Sequence, residues 1–145
     1  MAQWSDANRW LLMAAALSLI GAMLHLACIV GGPDWYRALG AGEGLARAVE
    51  RGHLRPHLMT AAIGAVLLAW VAFALSAAGV LPPLPLTRIA LFAITMVLLA
   101  RGLLIFVPAF WRPDLGLGFK FWSSLYVLVM AVSFGIGAAQ RWRFL

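Results

Sequence analysis

A single cysteine, Cys28, stands in 145 residues. One thiol closes no intramolecular disulfide and forms no CxxC pair, which excludes thiol exchange and cysteine-rich zinc sites. Cys28 reads as a small apolar residue near the end of a helix, since free thiols are often buried. Acidic residues are also few: Asp6, Asp34, Glu43, Glu50 and Asp114. None lies inside a long apolar run. A proton-coupled exporter of lipophilic cations depends on an intramembrane carboxylate, so that class is disfavoured. Charge of either sign is thin, at 11% of residues, against roughly a quarter in a soluble domain. There is no internal repeat, no soluble module and no linker.

Apolar sequence fills the space. Hydrophobic residues make up 64% of the chain, and the mean hydropathy is +0.94. At about 20 residues per membrane crossing, four crossings and their loops account for the whole length. The runs fall at about 10–30, 58–80, 86–107 and 121–140. The first ends at Gly31-Gly32-Pro33 and the second at Pro82-Pro83, both helix stops. Each run is apolar nearly all round, as in a bilayer or bundle-core helix. Backbone in hydrocarbon must satisfy its own hydrogen bonds, which leaves helices or a closed barrel. The expected fold is an all-α membrane protein, one domain of four antiparallel spans. The first run follows Arg9 and resembles a signal peptide, but its 21 or so apolar residues suit a retained span better.

The segments between spans sort onto two sides. Side A holds the N-terminus, the turn at 81–88 and the C-terminus. Side B holds the loops at 31–57 and 108–120. Trp4, Trp10 and Trp142 fall on side A. Trp35, Tyr36, Trp111 and Trp122 fall on side B. Amphipathic rings at both headgroup levels fit these boundaries. Trp70 lies deeper and reads as packing.

The formal charge is +6. Without a basic stripe on a soluble face, it reads as basic loops beside anionic lipid headgroups, not as nucleic-acid binding. Side A carries Arg9, Arg88, Arg141 and Arg143. Side B carries Arg37, Arg47, Arg51, Arg55, Arg112 and Lys120, partly interleaved with acids. Counting Lys and Arg alone favours side B in the cytoplasm, whereas the short tails and turn of side A are the cleaner signal and favour the termini there. Size and span count suit a small bacterial inner-membrane protein.

The first loop reads as an amphipathic interfacial helix over about 34–51, with Asp34 as N-cap and Gly52 as stop. Trp35, Leu39, Gly42, Ala46 and Val49 share one face. Arg37, Glu43, Arg47, Glu50 and Arg51 share the other. Glu43 and Arg47 are four apart and can pair, and Arg47 can reach Glu50. Gly40, Gly42 and Gly44 weaken the helix, and a break near Gly42 is an alternative. The "GAGEG" run is no dinucleotide fingerprint, for no strand precedes it.

Polar residues within the spans gather towards side B. Arg101 lies roughly 20 Å from side A and 9 Å from side B at 1.5 Å per residue. His25, His57, Thr60, Ser123, Ser124 and Tyr126 occupy the same half. Ser18, Ser76 and Thr95 fall near mid-depth, and Ser133 lies beyond it. Ser18, Gly21, His25 and Cys28 form one stripe on span 1, small enough for close packing. Thr60 and Gly64 form another on span 2. Arg101 has three readings: it snorkels, it pairs with Glu43, or it binds a ligand. A ligand there would carry a carboxylate, phosphate or similar oxygen group and an apolar body.

The first functional expectation is therefore a pocket for an anionic or polar-headed amphiphile or lipid, serving transport, sensing or lipid modification. Its candidate residues are Arg101, His25, Glu43, Arg47, His57, Thr60, Ser123 and Tyr126. No cofactor is expected on this reading. A second reading is a haem or metal redox protein with His25 and His57 as ligands, although no spacing motif supports it. A third is a non-catalytic subunit or scaffold. Membrane lipids are the expected partners, with self-association as a further option. His, Glu, Arg and Ser could support acid–base chemistry, but no nucleophile motif or metal triad marks an enzyme.

Overall fold

The computed structural model describes residues 7–111 and 113–145. Trp4, Asp6 and Arg112 lie outside the described residues. Four long helices carry the fold: α1 (Arg9–Gly31), α4 (Arg55–Ala78), α5 (Thr87–Leu103) and α6 (Leu117–Arg141). Two short ones, α2 (Pro33–Ala38) and α3 (Glu43–Glu50), fill the first loop. With the 3₁₀ turn that follows α5, the four long helices are each long and apolar enough to cross a membrane. They match the four expected spans to within a few residues. The chain is thus an all-α, four-span bundle.

Local chemistry sets the helix ends. The Asn8 side chain accepts the Leu11 N–H at 3.0 Å and so caps α1, relieving one of the unpaired amides of a first turn. Pro56 lies in the first turn of α4, where its missing N–H costs nothing. Gly79, at φ +89°, ends α4 in a left-handed cap. α5 tightens into a 3₁₀ turn over Leu104–Phe106. A second such turn, Pro108–Phe110, follows it.

α1 and α6 form the inner pair of the bundle. α4 lies along α1 and α5 along α6, while α4 and α5 meet over a much shorter stretch. The main core comprises Leu11, Ala14 and Ala15 of α1, Ala74, Ala77 and Ala78 of α4, Leu91, Ile94 and Leu98 of α5, and Met130, Ala131, Phe134 and Ala138 of α6. These are the parts of each helix nearest side A or mid-depth. Alanine lets helix backbones approach closely. Phe134, fully buried, fills the space left between them and meets Trp70 edge-on at 6.5 Å. Trp70 is packing, as expected.

Polar groups tie the side-A ends together. Asn8 Nδ2 donates to Gln140 Oε1 at 2.8 Å, and the Asn8 N–H reaches the Ala78 carbonyl at 3.4 Å. Arg141 Nε donates to the Ala77 carbonyl at 3.2 Å. Ser76, expected near mid-depth, is in the last turn of α4. Its hydroxyl donates to the Pro82 carbonyl at 2.9 Å and accepts the Leu84 N–H at 3.0 Å. Ser76 thus lies near the side-A end of its helix and not at mid-depth.

The first loop is helical in two pieces, the alternative with a break near Gly42. The chain breaks at residues 39–42, where Gly40 and Gly42 take φ of +74° and +96°. The N-cap is Gly32, with Asp34 inside the first turn. Gly52, at φ +77°, follows the end of α3. The break changes the phase of the loop. Tyr36, 1% exposed, faces inward in place of Trp35, which is 46% exposed. Tyr36 packs with Cys28, Leu39, Ala46 and Val49 in a second, smaller core under the loop. Cys28 is buried there, as a small apolar residue would be.

Candidate ligand-binding site

The break between α2 and α3 lets Arg37 reach acids on both. Its guanidinium donates to Glu43 through Nε at 2.9 Å and Nη2 at 3.1 Å, to Glu50 at 2.7 Å and to Asp34 at 3.2 Å. Arg47 adds the expected i,i+4 bond to Glu43 at 2.9 Å. Glu50 turns to Arg37 in place of Arg47. Glu43 is thereby held down to a pKa of about 2, first by Arg37 and then by Arg47. The Arg37 guanidinium is pushed well above its usual value by hydrogen bonds to Glu43 and Glu50. The Glu43 carboxylate is engaged twice over, and Arg101 makes no ion pair or hydrogen bond among the described residues. The pairing of Arg101 with Glu43 is not formed.

Arg101 sits in the last turn of α5. A cation there complements the negative end of the helix dipole, worth ~0.3–1 kcal/mol at an exposed position. Next to it, Gly102 is buried, and a Cβ there would lie 2.5 Å from Leu128 Cγ. Only glycine lets α5 press so closely on α6 at this level. The contact fixes the spacing between Arg101 and the first turns of α6.

A cavity of about 250 Å³ opens at this junction. Its polar lining is Arg101, Lys120, Ser123 and Ser124; Leu104, Ile105, Phe110, Trp111 and Leu115 supply the apolar wall, and Gly40 of the first loop closes one edge. Trp111 is fixed by its indole N–H, which donates to the Ile105 carbonyl at 2.8 Å. Lys120 Nζ stands 5.3 Å from the centre of the Trp111 ring, a cation–π arrangement. The Ser123 hydroxyl donates to the Lys120 carbonyl at 3.2 Å. Ser124 is 3% exposed, and its hydroxyl makes no hydrogen bond among the described residues.

The two side-B loops meet beside the cavity. Gly40 has no room for a side chain, because a Cβ would run into the Phe119 ring. The Glu43 N–H donates to Asp114 Oδ2 at 3.3 Å. The left-handed turn at Gly40 thus brings the first loop down onto the start of α6.

The structure brings together two of the residues singled out from sequence, Arg101 and Ser123. The others take separate places. His25 Nδ1 lies 2.7 Å from the Gly21 carbonyl of its own helix. His57 Nδ1 lies 3.1 Å from the Tyr36 hydroxyl, with the rings edge-on. The Thr60 hydroxyl donates to the Pro56 carbonyl one turn back. The Tyr126 hydroxyl crosses the bundle to the Leu17 carbonyl of α1, in space left open by Gly21. Glu43 and Arg47 belong to the loop network. Among the described residues, no three His, Cys, Asp or Glu side chains converge as a metal site would require.

Lys120, Trp111 and Gly102 were not picked out as site residues from sequence. α6 begins at Leu117, four residues before the apolar run does. That extension puts Lys120 within helical spacing of Ser123 and Ser124, at i+3 and i+4. The signal for it was the i, i+3, i+4 pattern continued one turn upstream. No family model matches the chain, and no curated protein or solved structure shows significant similarity to it.

Proposed function

We propose that the protein binds the head of an anionic amphiphile in the side-B cavity, leaving the apolar body of that molecule in the membrane. One observation carries this reading. Arg101 and Lys120 line the same half-apolar cavity, and neither forms an ion pair among the described residues. Arg101 is exposed and Lys120 half-buried on the bundle surface, and charged groups at membrane depth call for counter-charge or hydrogen-bond partners. An anionic head supplies both.

The size of the cavity supports the same reading. At about 250 Å³ it is below the ~300–1,000 Å³ of pockets that enclose a drug-sized ligand. It suits a head and not a whole lipid. Phe106, Phe110 and Trp122, 74%, 66% and 66% exposed, leave apolar surface beside it for tails.

The test is lipid retention by purified protein, read by native mass spectrometry. Arg101→Leu is expected to weaken binding of anionic amphiphiles by about 10- to 100-fold, the loss of one or two charge-assisted hydrogen bonds. The bundle should stay folded, because Arg101 bonds to none of the described residues. Unchanged retention in that variant overturns the reading.

A further inference from the structure

Resting on that reading, we propose that the head recognised in the cavity is a phosphate monoester, not a carboxylate or a phosphodiester.

The first argument is charge. Arg101 and Lys120 bring two positive charges to one cavity. A carboxylate or a phosphodiester brings a single negative charge and leaves one cation uncompensated beside Trp111 and Phe110. A phosphate monoester carries about −1.5 to −2 near neutral pH. It matches both cations at once.

The second argument is donor geometry. Three separate donors line the space: the Arg101 guanidinium, the Lys120 ammonium and the Ser124 hydroxyl. Ser124 is the informative one. It is 3% exposed, lines the cavity and makes no hydrogen bond among the described residues. Hydroxyls on transmembrane helices ordinarily bond back to their own backbone, as Thr60, Thr95 and Ser133 do here; Ser18 is also unbonded but is buried in the bundle away from the cavity. A monoester has three terminal oxygens, one for each donor. A diester has two, and so does a carboxylate. The planar fork of Arg101 suits two-point contact with phosphate, and Lys120 adds a compact charge.

The monoester can come from a lipid, as in phosphatidic acid, or from a small soluble phosphate. The experiment separates these sources. Full-length protein is reconstituted in phosphatidylcholine nanodiscs doped with equal amounts of phosphatidic acid, phosphatidylglycerol or oleic acid. Lipid retained through extraction is counted by native mass spectrometry, with inorganic phosphate added as competitor.

Phosphatidic acid is expected to be retained about tenfold over phosphatidylglycerol and oleate, the worth of one further charge-assisted contact. Lys120→Gln should erase that preference while keeping the weaker binding of all three. Ser124→Ala should reduce it with the fold intact. Displacement by inorganic phosphate assigns the soluble source and its absence the lipid source, and either keeps the monoester. Equal retention of the three lipids, still dependent on Arg101, overturns the monoester and leaves the broader reading standing. Retention indifferent to both Arg101→Leu and Lys120→Gln overturns both.

Discussion

The two halves of the bundle use the same four helices to opposite ends. Towards side A, alanines from α1, α4 and α6 bring backbones together around Phe134. Asn8, Gln140 and Arg141 then tie the helix ends to one another. Towards side B, the α5–α6 junction opens into a cavity where Arg101 and Lys120 stand without ion pairs among the described residues. Order there comes from the loops: Arg37 joins α2 to α3, and Tyr36 meets His57. The lesson is a division by depth. Stability is concentrated where side chains are small and paired. On side A, Arg88 and Arg141 lie at the helix ends, over aromatic rings or on a backbone carbonyl, whereas Arg101 and Lys120 line a cavity.

The strongest challenge to this comparison is truncation on each side. Phe134→Ala removes the largest core side chain between the four helices and should cost ~3–5 kcal/mol. Arg101→Leu in the same thermal-unfolding assay in detergent should fall within ~0.5 kcal/mol of wild type. Equal losses would erase the distinction. Next in size is Gly102→Val, at the tight contact between α5 and α6. Its new side chain meets Leu128, and overpacking of this kind costs ~1–3 kcal/mol. Because α5 must shift away from α6, anionic-lipid retention should fall along with the melting temperature. A variant that melts lower but retains lipid normally would uncouple the cavity from this contact.

Much of this division could be read from the sequence. The four apolar runs set the bundle, and the bias of Arg101, His25, His57 and Ser123 towards side B located the polar half. The pairing of polar groups was less legible. His25, Thr60 and Tyr126 lie at the right depth, yet each spends a polar atom on backbone: the first two on their own helix and Tyr126 on α1. Depth follows from counting residues, whereas rotation and rotamer depend on neighbours that a single sequence does not supply. The loop helix shows the same limit. Its charges were recognisable, but its phase depended on where Gly40 and Gly42 would turn left-handed. Lys120 escaped notice because it precedes the apolar run that defined the fourth span.

Two smaller effects sharpen the contrast. Asn8→Ala removes the cap of α1 and the bond to Gln140, with an expected cost of ~1 kcal/mol, read as a lower midpoint in denaturant. A null result would mean that the side-A ties follow from packing and do not reinforce it. The last prediction concerns the loop. Glu43 titrates at about 2, below its ordinary 4.5. A depressed carboxylate contributes stability above its unfolded value and loses it as pH falls through the folded one. Pepsin digestion should therefore spare residues 33–50 near pH 4.5 and cut them increasingly towards pH 2. Glu43→Gln should be cut across that whole window. Cleavage that is the same in both proteins would show that the ion pairs do not hold the loop.

The bond from Arg141 to Ala77 also bears on the order of assembly. The carbonyl near the end of α4 obtains its partner 64 positions later in the chain. Phe134 and Met130, which complete the core against α1, arrive with the same helix. The first hairpin therefore matches its alanine faces and its Gly79 cap by itself, but leaves the Ala77 carbonyl without the Arg141 guanidinium. The fourth span both fills and fastens it, so the first hairpin reaches its native packing only once α6 is in place.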